Sequence, residues 1–563
     1  SLHEDLALLR SGFPTHFTVE EEQAAFTASL MTNDPDEILG LRKDLRHFKT
    51  YTIDGASTSE IDDGLSLEVI EKTDGTRSHR FWIHIADADH WAPRYSDVFK
   101  SAMRRGTSVY LPTGGRPMFP SIMSSTMSLK ARYNSRALSL GVELLPDGSI
   151  DESSIVLVPS LIRVDYRLTY DEVDDMLAEG VGYSEEWELG AMLDAAMKRR
   201  THRIECGSNE GWIPNPIPQA SVFVKPDENA ADQLSISINI EASHNSGLNQ
   251  TGGAMLLTNP SGSDFVKPVS QSFLLVTEMM VMAGEAVGKW KIRCDEQQKQ
   301  LAEDDDIPKL GNELVFPFRS QNPPDWKSRE REAIVLDSLR ERNEGGGYCY
   351  AWFARRFFHP AKIGNEPLPH HGMGLDCYVQ WTSPIRRLSD LQVHSAIKRY
   401  LRRERVNELM KEAREIPVGL SAGDLGCYLP EAKEDSIDEE GKIGEYILDP
   451  DQREEQIDYK ANMGLVIAAR PLQRKSQAYW TYEYVRRRIE STPDEVVFEC
   501  MVLGCVDSDR DQYSIYVHEL GLEHRYLSER GTLKLGQTIW LKVASVYPRM
   551  ELLTFTMASR KQG

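Results

Sequence analysis

Between Thr52 and Leu65 the chain reads Thr-Ile-Asp54-Gly-Ala-Ser-Thr-Ser-Glu60-Ile-Asp62-Asp63-Gly-Leu, so four carboxylates share one short loop after an apolar strand start. Carboxylates at that density repel one another, and a folded chain keeps them together only with counter-charge. The ordinary counter-charge is a hard divalent cation such as Mg2+, held through carboxylate oxygens and water. Such a cluster is able to hold one or two ions that polarise a phosphoryl oxygen, generate hydroxide and stabilise a leaving oxygen. Taken alone, the loop also reads as a solvated acidic turn. The D-x-[DN]-x-[DN]-G spacing is absent, which argues against a calcium loop.

A second constellation lies far downstream, at Tyr378-Val-Gln-Trp-Thr-Ser-Pro-Ile-Arg386-Arg387. Ser383 followed by Pro384 predicts a helix start, with Ser at the N-cap and Pro in the first turn. That arrangement would aim backbone N–H groups and two guanidiniums at a common spot suited to an anion such as phosphate. An ordinary capped helix with surface arginines is the alternative.

The 563 residues predict more than one domain and a large core. No apolar run reaches membrane-spanning length and no signal peptide is evident; a protein inside the cell, in the cytoplasm or an organelle and not secreted, is expected. The seven cysteines form no CxxC pair, which argues for a reducing compartment and against a zinc site or disulfide framework. A net charge of −22 first argues against a nucleic-acid partner. The charges are segregated, however, with basic clusters at 398–405 and 486–488, and a local positive channel is compatible with an acidic exterior.

Along the chain, residues 1–48 read as a helical lead-in. Strand patterns at 65–70, 80–86, 137–144 and 155–158 give way to helical periodicity at 170–179, 185–204, 270–290, 329–357 and 383–403. Residues 225–264 read as a loop-bearing insertion, and the acidic 428–458 as a solvated linker or insertion. After Asp494, short strands at 496–503, 512–517, 538–545 and 552–557 suit a small barrel of the OB type.

The first two segments together are specific. TIDxxxxxxxDD with a distant TSPIRR resembles the catalytic domain of the ribonuclease II / ribonuclease R (RNB-domain) exoribonucleases, in the flavour of the plant-organelle and cyanobacterial branch. His84-Ile-Ala-Asp87, Arg105-Gly-Thr-Ser-Val-Tyr110-Leu-Pro, Met118-Phe-Pro, Arg136, Thr169-Tyr170, Glu278-Met-Met, Phe318-Arg319 and His370 extend the resemblance in order. It implies an α+β fold: a large mixed sheet-and-helix RNB catalytic domain over 49–490, a C-terminal OB-fold β-barrel over 495–563, and the short helical segment in front. It also implies a processive hydrolytic 3′→5′ exoribonuclease that degrades single-stranded RNA to nucleoside 5′-monophosphates by Mg2+-assisted attack of water, with Mn2+ able to substitute.

Carried over residue by residue, Asp54, Asp62 and Asp63 match three of the family's four active-site aspartates, and Glu60 stands at the fourth; these four are the implied metal ligands. Arg386 is implied to stabilise charge on the phosphate, and Arg387 to contact a neighbouring phosphate or merely pack. Tyr110 matches the aromatic that stacks on the 3′-terminal base, a sequence-tolerant contact. Glu278 either assists recognition of the 2′-hydroxyl or forms a buried salt bridge. Gln473 aligns with a late family Glu, next to Arg474 and Lys475.

The family's paired N-terminal cold-shock barrels have no counterpart in 1–48. Glu60, Gln473 and that difference motivate the alternative, a weakened or inactive member acting as an RNA-binding or assembly factor. A monomer is expected, with protein partners conceivable through the acidic insertions.

Overall fold

The computed structural model describes residues 6–56, 58–72, 75–180, 186–205, 216–227, 230–241, 270–301, 314, 316–326, 329–412, 414, 417–420, 422–425, 455–492, 496–528 and 532–558. The lead-in is helical, as its sequence predicts: α1 (Leu6–Ser11), α2 (Val19–Ser29) and α3 (Pro35–Ile38). A capping box starts α2, the Glu21 N–H donating to Thr18 Oγ1 at 3.2 Å and the Thr18 N–H to Glu21 Oε2 at 2.9 Å.

A sheet follows, built from β1 (Lys43–Asp44), β2 (Thr50–Asp54), β3 (Asp63–Glu71) and β4 (Arg77–Ala86). Next come α4 (Ala88–Trp91), α5 (Asp97–Met103), the small hairpin β5 (Val109–Leu111) and β6 (Gly114–Arg116), and α6 (Ser121–Met127). The sheet is completed by β7 (Asn134–Glu143) and the long β8 (Val156–Thr169), in the order β1-β8-β2-β3-β4-β7. One half of β8 pairs antiparallel with β7 and the other half parallel with β2, so these strands close on themselves and leave few open edges. Alternate residues on β4 face opposite ways. Phe81, Ile83 and Ile85 enter one core, while Trp82 and Ala86 enter the other.

Helices α7 (Tyr170–Glu179), α8 (Glu186–Glu205) and α9 (Gln271–Leu301) cover the first core. Between α8 and α9 lies a hairpin, β9 (Gln219–Asp227) and β10 (Ala230–Glu241). Within the 225–264 insertion, residues 225–227 and 230–241 are strand, where polar composition predicts a loop: Leu234, Ile236 and Ile238 alternate, and one face is partly buried. The remainder of the 225–264 insertion, from 242, lies outside the described residues, as do 428–454 of the acidic one, Cys206 and Cys427.

Next come β11 (Phe318–Ser320), α10 (Glu330–Arg342), α11 (Tyr348–Ala354) and β12 (Lys362–Gly364), with β11 and β12 paired. The single helix predicted over 329–357 is broken at Asn343, where the chain turns left-handed and Gly345, Gly346 and Gly347 continue at φ of 60°, 61° and 86°. Then follow α12 (Leu388–Lys411), α13 (Ala422–Leu425) and α14 (Glu455–Ser491). The last segment is the small OB-type barrel, with antiparallel order β15-β14-β13-β16-β17 for β13 (Val497–Asp507), β14 (Gln512–Val517), β15 (Leu522–Leu527), β16 (Thr538–Tyr547) and β17 (Leu552–Met557). Gly504 lets β13 lie flat against Trp352 of α11, whose ring a Cβ would overlap.

A buried ion network ties the lead-in to this body. Lys398 of α12, fully buried, sits 2.6 Å from Asp87, 3.1 Å from Asp36 and 3.4 Å from Asp89. Arg402 holds Asp36 at 2.6 Å, and Arg42 holds Asp34 at 2.6 Å and Asp87 at 3.0 Å. Buried charge persists only when matched in this way. Among the described residues, the cysteines at 294, 349, 377, 500 and 505 form no disulfide.

Candidate active site

The acid loop runs from the end of β2 to the start of β3. Asp54 is the last residue of β2 and pairs in parallel with Thr169, the N-cap of α7, so Tyr170 stands beside it. The loop is pinned at Ile61, which is buried, donates its N–H to Ser128 Oγ at 2.8 Å and accepts a hydrogen bond from the Leu129 N–H at 3.1 Å. That anchor turns Asp62 inward, where it is only 4% exposed.

Asp62 meets the arginine turn there. Its Oδ1 accepts the Ile385 N–H at 3.0 Å and its Oδ2 accepts Arg386 Nε at 3.1 Å. Arg386 Nη2 donates to Ser383 Oγ at 2.9 Å, and the side chain stays 42% exposed, so the guanidinium keeps a face open to solvent. The helix predicted from Ser383 does not begin there. Residues 384–386 form a turn in which the Arg387 N–H returns to the Ser383 carbonyl at 3.0 Å, and α12 starts at Leu388. The Ser383 hydroxyl goes to Arg386 rather than to a helix N–H, and the buried Asp390 holds the turn, accepting the Ser383 N–H at 3.0 Å and Arg387 Nη2 at 2.6 Å. The two guanidiniums therefore diverge: Arg386 faces Asp62, and Arg387 packs on Asp390.

Electrostatically the carboxylates form one unit. Burial, then the Asp62 charge, raises Asp54 to about 7. Burial raises Asp62 to about 6 against the opposing pull of Arg386, and burial with the charges of Asp54 and Asp62 raises Asp63 to about 8. Glu60 is also raised by burial, while Ser124 Oγ donates to its Oε1 at 2.8 Å and the Tyr110 phenol bonds to it. Such mutual elevation marks a site that favours protons or a cation. The donors are all hard oxygens and the buried Asp54 Oδ2 has no hydrogen-bond partner, both of which suit a divalent ion. Among the described residues no three His, Cys, Asp or Glu side chains are already gathered as a ligand set, so the carboxylates would have to draw together around one.

Tyr110, on β5, is 51% exposed and close enough to Glu60, Arg386 and Asp62 to feel their charges; burial of its hydroxyl end and Glu60 push it up to about 12. Its strand is stitched to the arginine turn, since the Ser108 N–H and Thr107 Oγ1 donate to the Arg386 carbonyl at 2.9 and 3.0 Å. Gln473 Nε2 donates to the Tyr110 carbonyl at 3.3 Å, which makes it a neighbour of the Tyr110 strand.

Glu278 stands elsewhere. It is 3% exposed and bound by Arg203 Nε at 3.0 Å, the buried salt bridge of the two readings given above. Ser124 and Arg167 were not signalled by sequence. Ser124 sits in an unremarkable serine-rich helix, and Arg167, which lowers Asp54, lies on a strand with no motif. Tyr170 is raised by burial and by Asp63 and Asp54; the Thr-Tyr pair at the head of α7 was its only sign. His84 and Asp87 of the Ile-Ala-Asp strand are structural, in a buried Ser66–His84–Ser139 chain and in the Lys398 network.

Residues 42–403 match the RNB domain. The chain is 30% identical over 554 residues to an uncharacterized ribonuclease of Synechocystis sp., covering 98% of this chain and 65% of that one. It is 27% identical over 556 residues to the chloroplastic/mitochondrial ribonuclease II of Arabidopsis thaliana, covering 98% of this chain and 55% of that one. In fold it is similar to Mycoplasma genitalium RNase R in complex with ribose-methylated single-stranded RNA, with a TM-score of 0.66 at 16% identity, covering 98% of this chain and 77% of that one. The chain thus spans between half and two thirds of the length of these two curated relatives.

Proposed function

Because the chain belongs to the RNB domain family, we propose that it is a hydrolytic exoribonuclease that works processively from the 3′ end of single-stranded RNA and releases nucleoside 5′-monophosphates. The observation that carries this reading is the Asp62–Arg386 contact, which joins an acid loop and an arginine turn with an exposed tyrosine beside them.

Asp54, Glu60, Asp62 and Asp63 would hold Mg2+, or Mn2+ in its place. When bound, the ion supplies Lewis-acid polarisation of the phosphodiester and a water of lowered pKa. The chain's own residues do the rest. Asp62 fixes the Arg386 fork by one edge, leaving the exposed face of the guanidinium to meet charge that develops on the phosphate. Tyr110 offers an exposed ring on which the terminal base stacks whatever its identity, at about 1–3 kcal/mol per base. The backbone bonds between Ser108 and Arg386 fix the spacing from stacked base to scissile phosphate, which is the positioning that catalysis needs.

We further infer a monomer acting in the cytoplasm or an organelle; among the described residues no helix is long and apolar enough to cross a membrane. A second reading, an RNA-binding or assembly factor without turnover, is favoured by one observation: Glu60 is engaged by Ser124 and Tyr110 while, among the described residues, no ligand set is pre-gathered. The test is a time course with Mg2+ on 5′-labelled RNA and DNA of one sequence. Release of monophosphates from RNA alone supports the first reading; intact RNA that is nonetheless bound supports the second.

A further inference from the structure

The β9–β10 hairpin touches three parts of the molecule at once. At the clamp, the Val224 N–H donates to the Pro112 carbonyl at 2.9 Å, two residues beyond Tyr110. Along α14, Gln477 Nε2 donates to the Ala220 carbonyl at 2.6 Å, and Val222 and Val224 pack on Trp480. At the barrel, Tyr516 Oη donates to the Pro218 carbonyl at 3.2 Å, Ile238 packs against the barrel core, and Gly521 lies so close to Ala220 that a Cβ would overlap it. The same α14 carries Gln473, which donates to the Tyr110 carbonyl. A hairpin as short as β5–β6 is marginal by itself, so these outside bonds decide how firmly the Tyr110 strand is held.

We propose that the β9–β10 hairpin is a positioning strut that carries the seating of the C-terminal barrel to the Tyr110 strand, so that one single-stranded RNA is gripped at the barrel and at the clamp as a unit. The role rests on the exoribonuclease reading for its purpose, but the coupling itself is a matter of binding. Val224 is the useful point of attack. Its N–H serves Pro112 rather than β10, and an edge strand tolerates proline where the N–H faces outward.

The full chain is tested in EDTA, without turnover, using RNA that carries 2-aminopurine at its 3′ end, whose quenching reports stacking. Val224→Pro cuts the clamp end of the strut, and Tyr516→Phe cuts the barrel end without changing shape. Each is expected to weaken binding of a long oligonucleotide about two- to tenfold, the range of one lost hydrogen bond, and to reduce quenching. The double variant is expected to be less than additive. A trinucleotide, too short to reach the barrel, is expected to respond to Val224→Pro and not to Tyr516→Phe. If Val224→Pro fails to fold, Gln477→Ala replaces it, removing the bond that seats Ala220 of the hairpin on α14. Unchanged quenching in Tyr516→Phe, or strictly additive losses, overturns the strut. Absence of hydrolysis by wild-type protein in Mg2+ would overturn the exoribonuclease reading and leave this binding test standing.

Discussion

Arg386 Nε reaches Asp62 Oδ2 at 3.1 Å across 324 positions of sequence, while its neighbour Arg387 is drawn to Asp390 at 2.6 Å. Two adjacent arginines thus do different work. One brings positive charge to the acid loop, and the other ties the turn to the first residues of α12. A buried carboxylate held by one backbone N–H and one edge of a guanidinium is also a rigid reference point for whatever binds beside it.

Replacing Arg386 by Lys keeps the charge and removes the planar fork. The expected result is a drop in kcat on the order of a hundredfold or more, the scale of losing a preorganised transition-state donor, with RNA affinity changed far less. Single-turnover kinetics with a separate binding measurement in EDTA check the split.

The raised carboxyls make a stability prediction. A carboxyl whose folded pKa exceeds its unfolded value, near about 4, binds protons more tightly in the folded state. Stability is therefore fullest below that unfolded value and declines as pH rises toward the folded values of about 6 for Asp62, 7 for Asp54 and 8 for Asp63. Metal-free protein is expected to lose Tm between pH 5 and pH 8 (about the span between the two sets of values), and Asp63→Asn to recover more of it at the upper end than at the lower. Added Mg2+ is expected to raise Tm most at the upper end, where fewer protons must leave. Thermal scans at matched ionic strength check the sign.

Much of this was legible in the sequence, for identifiable reasons. The alternation in β3 and β4, the periodicity of α7 and α12, and the strand rhythm of the barrel all report local burial, which local pattern encodes. The acid loop and the arginine turn were legible as chemistry because like charges need a partner. What was not legible depends on distant contacts. Ser383 opens a turn held by Asp390, seven residues on, which accepts its N–H, and its hydroxyl goes to Arg386 rather than to a helix N–H. Ser124 matters only because folding sets it against Glu60. The hairpin within the polar insertion forms because α14 and the barrel give it an apolar surface.

Glu60 reaches Ser124 and Tyr110 with a side chain one methylene longer than aspartate. Glu60→Asp is expected to forfeit those bonds and raise KM for RNA about two- to tenfold, with a smaller change in kcat. Combining it with Ser124→Ala is expected to add little, because the two share one interaction. Steady-state kinetics on the four-membered cycle check the coupling.

Lys398 neutralises Asp36, Asp87 and Asp89 in a fully buried site. Lys398→Met removes the cation and leaves carboxylates stranded, which is expected to cost about 3–5 kcal/mol. Urea denaturation checks the magnitude. Hydrogen exchange is expected to show α3 loosening first, since Asp36 is its link to α12.

The central claim is that the acid loop and the arginine turn form one hydrolytic pocket, and comparing wild type with Asp62→Asn on 5′-labelled single-stranded RNA in Mg2+ tests it most directly. The account predicts monophosphates and a short end product from the wild type, with no hydrolysis yet undiminished RNA binding from Asp62→Asn. Equal hydrolysis by both proteins, or none by either, would contradict it.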